Sequence, residues 1–341
     1  MVIFTPLYWL FGIVMRGLLF AFSNQYFLAL LVFTILTRVV LFPLNIRQQK
    51  ATAKTSRIQP KIQKIQKKYN VNSISDPRQR QKANQQMQQE IQELYAREGH
   101  NPMSMGCGPM LFQMIFLMGI VGIIYWPIQY ILGIDMGGMG SRNDQIDMLK
   151  AIGIATEGNM RNYPQLNLLN YIGDPDIQAK LMALDASKYI KGAPADLFNE
   201  AAINKIVEFK NSLIMFGKID MTEQPSIKNI SAIIIIPILC FITSLGSSII
   251  STMIQKKNNP AQAQQARSMM IMMLMMPLFS TYISFIVPAA VGFYWIISNL
   301  IAIVQQLVMA KFFPPRYNIA RQMVESTIER RARENSIKKV K

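Results

Sequence analysis

Long apolar runs separated by polar and basic stretches dominate this chain. A bilayer-spanning helix needs about 20 mostly apolar residues. Five runs reach that length: 24–46, 106–133, 229–254, 268–287 and 289–312. Pro288 separates the last two and suits a tight turn rather than one very long helix. The pattern predicts an all-α membrane protein, a five-transmembrane-helix bundle. Residues 1–23 are apolar as well, but Thr5, Gly12, Arg16 and Ser23 share one helical stripe. That stripe predicts an N-terminal interfacial helix, amphipathic and lying on the outer leaflet; a sixth span is the alternative. No Lys or Arg precedes Arg16 and no small-residue cleavage site follows, unlike a signal peptide.

The segment 47–105 reads as a helical hairpin. Ile58, Ile62, Ile65 and Tyr69 recur at three- and four-residue spacing, and Met87, Ile91 and Leu94 do the same after the turn from Asn70 to Pro77. Two narrow stripes of this kind fit an antiparallel coiled coil. Pro77 fits the first turn of the second helix. Pro60 should bend the first helix or mark its real start. The segment 134–228 is mixed, with helical spacing from Asp176 to Ile190 and from Ala195 to Met215. A link, 255–267, joins the third and fourth runs, and 313–341 forms a tail.

Charge orients this pattern. The net charge is +17 and is unevenly spread. Segment 47–105 carries twelve Lys and Arg against four acids, whereas 134–228 carries ten against twelve. The link 255–267 has three basic residues and no acid. The stretch 311–341 has nine basic residues against three acids. Basic loops stay cytoplasmic. The hairpin, the link and the C-terminus are therefore expected inside, and 134–228 outside. The hairpin is longer than a mere connection between spans requires, so it is a candidate docking arm. Hairpin and tail are both suited to ribosomal RNA, a polyanion whose neutralised phosphates release counterions. Topology and contact with anionic membrane lipids are the competing reading. Tyr125, Trp126 and Tyr130 are expected to mark the outer interface.

Arg38 carries the candidate chemistry. It lies inside the first run, and the five runs contain no Asp or Glu. Its guanidinium keeps its charge, and placing one mid-membrane costs about 2.5–3.5 kcal/mol on insertion scales. Water, polar side chains or a visiting substrate must satisfy it. Polar residues recur on the other runs: Thr34 and Thr37 on the first, Gln113 on the second, Thr243, Ser244, Ser247, Ser248 and Ser251 on the third, Tyr294, Trp295, Ser298 and Asn299 on the last. Polar groups facing lipid are costly, so these should face inward around Arg38 as a polar groove. Helix–helix contacts are the alternative use of each Ser or Thr. The cluster Met269, Met270, Met272, Met273, Met275 and Met276 suits either lipid-facing packing or a surface tolerant of many apolar sequences. Enzyme readings find no support. The only histidine is His100, and there is no H-E-x-x-H, no G-x-S-x-G and no Walker A motif. No cofactor or metal is expected.

The ordered motifs resemble a known family. Phe33-Thr34-Ile35-Leu36-Thr37-Arg38, with Leu41-Phe42-Pro43-Leu44, Gln48-Gln49-Lys50 and Gln59-Pro60-Lys61-Ile62-Gln63, is similar to the first conserved span of YidC/Oxa/Alb-type membrane protein insertases. Asn101-Pro102 and Gly106-Cys107-Gly108-Pro109-Met110-Leu111-Phe112-Gln113-Met114 resemble the second. Gly292-Phe293-Tyr294-Trp295-Ile296-Ile297-Ser298-Asn299-Leu300 and Gln305-Gln306 resemble the last. The size resembles the Gram-positive form, without a large extracytoplasmic domain. Leu213 to Asp220 looks like the point where the pattern resumes, leaving an insertion of some 75 residues within 140–215. Ser247 stands where many Gram-positive relatives carry Gln. The resemblance implies a chaperone and insertase of the bacterial plasma membrane. It would take nascent membrane proteins into a hydrophilic groove open to cytoplasm and lipid, without nucleotide. Partners would be the ribosome and, in some settings, the Sec translocon. The alternative from the residues alone is a small-solute transporter or channel that binds an anion at Arg38. No internal repeat of the kind common in carriers is visible.

Overall fold

A computed structural model of the chain describes residues 4–97, 107–155, 162–227, 230–258 and 266–312, with positions 320, 324, 327, 328 and 331 beyond. The described residues are mostly helical. The strands among them form a two-stranded antiparallel hairpin, β1 (Ile214–Met215) and β2 (Ile219–Asp220), with Ile214 opposite Asp220. Among the described residues, three helices are long and apolar enough to cross a membrane: Tyr26–Arg47, Ala232–Ile254 and Ala289–Phe312. Thr5–Ala21 and Met114–Tyr125 are shorter apolar helices. The chain divides into two compact units, 1–39 with 114–248 and 273–302, and 40–113 with 249–272 and 303–341.

In the first unit, α1 (Thr5–Ala21) buries Tyr8, Phe11, Gly12, Met15 and Leu19. Small residues permit the close approach. A methyl group added at Gly12 would sit 2.1 Å from the Tyr130 carbonyl oxygen, and one at Gly122 would meet the Tyr8 ring at 2.3 Å. The Arg16 guanidinium donates to the Ile131 carbonyl at 2.7 Å. The polar stripe that suggested a water-facing side is thus partly turned into the protein. Pro6, Leu10, Ile13, Val14 and Phe20 are exposed instead, Leu10 by 56% and Ile13 by 59%. Ser23 and Asn24, both with positive φ, turn the chain into α2 (Tyr26–Tyr69).

This second helix is one unbroken element of 44 residues that passes through Pro43 and Pro60. Of the two expectations for Pro60, a bend or a helix start, the start does not occur, and no break separates the first span from the hairpin. Each proline removes one N–H from the ladder, but 42 flanking residues hold the rest of it cooperatively. In the second unit, Ile58 and Ile62 are buried and α3 (Pro77–Arg97) has no fully buried residue. Asp76 accepts from the Arg78 amide to start α3 behind Pro77. Lys68 donates to Glu90 at 2.8 Å across the hairpin. That bond, with one from Tyr69, holds the Glu90 carboxyl below the usual carboxylate range.

The helix α4 (Cys107–Tyr125) ends where Pro127 follows. A short π-helical turn, Ile128–Leu132, and Gly133 in the left-handed region then redirect the chain. Beyond it, 134–227 forms a small helical assembly: α5 (Arg142–Ala151), α6 (Pro164–Tyr171), α7 (Pro175–Met182) and α8 (Glu200–Ser212). The single helix expected from Asp176 to Ile190 is only two turns long, because Asp185 accepts from Ser187 and starts a separate 3-10 turn. The one expected from Ala195 begins at Glu200, where the Asn199 side chain caps the Ala202 amide. Sequence periodicity missed α5 and α6. Gly153 ends α5 with φ 88° and a paired set of bonds, Gly153 to Lys150 and Ile154 to Leu149, that left-handed glycine makes possible. Met148, Leu149, Leu168, Leu169, Leu181 and Ile206 form its core.

Polar bonds tie this assembly to the apolar helices of the same unit. Gln129 donates to Asp135 and accepts from the Met136 amide, while Gln165 accepts from the Gln129 amide. Lys210 bonds Asp220, Asn170 and Thr222. The following residues reach the last turn: Ala289 and Ala290 donate to the carbonyls of Glu223 and Met221. Those are the otherwise unsatisfied first amides of α11 (Ala289–Phe312). Upstream lie α9 (Ile235–Asn258) and α10 (Ala266–Ser284), with Pro277 inside α10.

Candidate functional site

The polar residues chosen from the sequence fall into three small groups within the first unit. The first centres on Arg38, which is half-buried on α2. Its guanidinium donates to the Ser298 hydroxyl on α11. Tyr294, one helical turn earlier, is buried, is in hydrogen-bond reach of Ser298 and lies within electrostatic range of Arg38. The spacing of 294 and 298 on one helix face explains why both meet the same partner.

A second group joins α9 to α11. The Asn299 amide donates to the Thr243 hydroxyl at 3.4 Å, and Thr243 in turn donates to its own helix at Leu239, 2.8 Å away. A third joins α9 to α10, with Ser280 donating to Ser244 at 3.3 Å. Cys240 is fully buried one turn earlier, in hydrogen-bond reach of Ser280. Ser280 was not among the expected residues. Its signal was present: Ser280, Thr281 and Ser284 put three hydroxyls in the fourth apolar run.

Other expected residues stand differently. Thr34 is fully buried and donates to the Leu30 carbonyl at 2.7 Å, and Thr37 donates to Thr34 at 2.8 Å. Both hydroxyls are thus used by their own helix. Ser247 and Trp295 are half-buried, and residues 243 to 248 are all of intermediate exposure. The side chain of Gln113 lies outside the description, as do those of Met269, Met270, Met272, Met273 and Met276; Met275 is exposed. His100 and most of the tail 313–341 also lie outside the described residues. Tyr125, Trp126 and Tyr130 do not form an exposed belt. Trp126 is 2% and Tyr130 3% exposed, because α1 packs over them: Tyr8 and Trp9 meet the Tyr130 ring at 5.3 and 5.5 Å.

In chemical terms, the first unit holds a permanent cation and a set of hydroxyl and amide groups between long apolar helices. Such a set can host water or a polar segment of another molecule where lipid cannot. No cluster of three or more His, Cys, Asp or Glu able to hold a metal occurs among the described residues.

Comparison with known proteins gives this arrangement a family. The family described as 60Kd inner membrane protein matches residues 18–146 and 196–316. Membrane protein insertase YidC 1 of Listeria monocytogenes is 24% identical over 315 residues, 91% of this chain and 74% of that protein. Membrane protein insertase YidC of Oceanobacillus iheyensis is 40% identical over 93 residues, 27% of this chain and 34% of its own length. Membrane protein insertase MisCA of Bacillus subtilis is 37% identical over 97 residues, 28% of this chain and 34% of the relative. The chain thus spans only about a third of those last two relatives. The two matched stretches leave 147–195 between them, a segment that falls within the insertion expected from the sequence. Helix α8 lies within the second matched stretch, and α6 and α7 lie between the two. With more than half of its residues matched and three helices fit to cross a bilayer, the chain is a multi-pass membrane protein of the 60Kd inner membrane protein family, the YidC/Oxa1 insertases.

Proposed function

We propose that this protein inserts integral membrane proteins into the bacterial plasma membrane and helps them fold. The observation that carries the reading is the half-buried Arg38 guanidinium, hydrogen-bonded to Ser298 between apolar helices. Family membership supports it. In this reading five helices cross the membrane. The runs 106–133 and 268–287 supply the second and fourth, and the hairpin, the link and the tail face the cytoplasm. Helix α1, 17 residues and about 25 Å long, is shorter than the ~30 Å hydrocarbon core. It stays on the outer side with its apolar face in lipid.

The mechanism follows from desolvation. A polar tail crossing hydrocarbon would lose its water, at several kcal/mol for each unsatisfied group. Arg38, Ser298, Thr243, Ser244, Ser247 and Asn299 offer replacement partners, and the cation favours acidic tails. Trp295 and the wall formed by Thr34, Thr37 and Tyr294 complete the groove. The client's own apolar segment then leaves sideways into lipid. Burying it supplies about 25 cal/mol per Å², so no nucleotide is required. The basic hairpin and tail hold the translating ribosome near the groove, and the Sec translocon is a further partner.

Depletion of the protein in its host, followed by protease protection of a small client with a short acidic translocated tail, tests this. The tail should remain outside-inaccessible, and its protection pattern should revert on re-expression. Unchanged translocation of every client tested would contradict the reading.

A further inference from the structure

A cavity of 740 Å³ lies in the first unit, with neither Arg38 nor Ser298 in its lining. Its walls come from three places. Helix α1 gives Thr5, Tyr8 and Trp9. The end of α4 and the π-helical turn give Tyr125, Trp126, Gln129 and Tyr130. The start of the extracytoplasmic assembly gives Asp135, Arg142, Asn143, Asn162 and Tyr163. The volume is in the range of ordinary small-molecule sites.

Three features define what could fill it. The first is aromatic. Tyr8 and Trp9 surround the Tyr130 ring, and Tyr125 faces Tyr163 at 4.5 Å. Ring faces of this kind attract ammonium groups, tryptophan most strongly.

The second is charge. Asp135 uses one carboxylate oxygen, Oδ1, for both the Gln129 amide at 2.8 Å and the Gly137 N–H at 3.0 Å. Its other oxygen makes no hydrogen bond among the described residues. Those two bonds hold the carboxylate in place and leave Oδ2 for a ligand. Gly137, at φ 73°, lets the backbone close around Oδ1. Arg142 lines the same cavity and makes no ion pair among the described residues, with Asp135 or with any other group. The cavity therefore presents an anion and a cation that have not neutralised each other. The complementary ligand carries both signs.

The third is lipid access. Pro6, Leu10, Ile13 and Val14 follow one another at helical spacing along the exposed side of α1, starting beside Thr5 and Trp9 of the cavity wall. An apolar track thus leads away from a polar, aromatic chamber. A free zwitterion in solution would need no such track; a molecule with acyl chains would use it.

We propose that this cavity binds the head group of a zwitterionic aminophospholipid, its ammonium between Asp135 Oδ2 and the Trp9 and Tyr130 rings, its phosphate on Arg142. Asn143 and Asn162 supply side-chain amides for the remaining phosphate oxygens, and the acyl chains run along Leu10 and Ile13. The inference rests on the membrane reading above, which puts that face of α1 in lipid. The bound lipid would fill the gap between α1 and the extracytoplasmic assembly and couple the two.

The test uses the full-length protein, purified in detergent, with equal amounts of dilauroyl phosphatidylethanolamine and dilauroyl phosphatidylglycerol. Native mass spectrometry counts the lipids retained. The wild type should retain the ethanolamine lipid over the glycerol lipid by about tenfold, the weight of one charge-assisted contact. Asp135→Asn keeps an acceptor oxygen for Gln129 and Gly137 but removes the charge, and should abolish the preference. Arg142→Gln, at an exposed position, should weaken retention of both lipids. Unfolding temperatures of the two variants identify any that fail to fold. Equal retention of the two lipids by the wild type would overturn the proposal, as would an unchanged preference in folded Asp135→Asn. The measurement involves no insertion, so its failure is separate from any failure of the insertase reading.

Discussion

Replacing Gly12 with alanine should loosen α1 from the segment it is docked on. The new methyl carbon would lie 2.1 Å from the Tyr130 carbonyl oxygen and 2.7 Å from its carbon. Both are backbone atoms and cannot swing aside as a side chain would. Contact needs more than 3 Å, so the two backbones must separate by about 1 Å, the scale of overpacking that costs about 1–3 kcal/mol. The shift also stretches the 2.7 Å bond from Arg16 to Ile131, a charged hydrogen bond worth about 1.5–3 kcal/mol. Against this, alanine gains about 0.5–1 kcal/mol of helix propensity over glycine. The balance is a loss of roughly 1–4 kcal/mol. Gly17 lies on the same helix with nothing within 4 Å of an added methyl group. Gly17→Ala should therefore be neutral or slightly stabilising. Unfolding of the detergent-solubilised protein, followed by intrinsic tryptophan fluorescence, reads both, since Trp9 and Trp126 lie at the α1 junction. Equal midpoints for the two variants would refute the close docking of α1.

Lys210→Met should destabilise the helical assembly of 134–227 by ~3 kcal/mol or more, because Asp220 and Thr222 lose their shared donor at a site only 12–19% exposed. Limited proteolysis should then cut within 142–227; an unaltered digest would contradict the role given to that ion pair. A single cysteine at Ser247, with Cys107 and Cys240 replaced, should react with a membrane-impermeant maleimide from the cytoplasmic side, and labelling from the outside alone would contradict a groove open inward. Deleting residues 321–341 should weaken ribosome co-sedimentation most at low salt, since phosphate contacts are screened as salt rises. Identical sedimentation across a salt series would leave only the hairpin as a docking arm.

The apolar runs 24–46, 229–254 and 289–312 were legible because a span is a composition signal that survives without tertiary context. The hairpin turn was legible for a different reason: Asp76 and Pro77 encode a helix start locally. Continuity through Pro60 was not. A single proline signals a break, and only the length of intact helix on either side outweighs it. Helices α5 and α6 escaped periodicity because both are short and bury polar residues: Gln145, Gln165 and Asn167 sit inside among the apolar ones. The same mixing misled the reading of Tyr125, Trp126 and Tyr130. Aromatic residues at a span's end look alike in sequence whether they face headgroups or, as here, another helix. At the candidate site, Arg38 and Ser298 were readable as polar atoms in apolar runs. Their pairing required the fold, since 260 residues separate them. Thr34 and Thr37 illustrate the limit of such a reading, because a buried hydroxyl can be satisfied by the preceding turn of its own helix.

The central claim is that the charge of Arg38 draws acidic polar tails into the membrane. Proteoliposomes containing only this protein and lipid, presented with a single-span client whose translocated tail carries two or three acidic residues, test it directly. Wild type and Arg38→Lys should both protect the tail from external protease. Arg38→Ala should insert the acidic client at least about tenfold more slowly, the weight of one charge-assisted contact, while a client with a neutral tail is largely spared. Full insertion of the acidic client by a correctly folded Arg38→Ala protein would contradict the account.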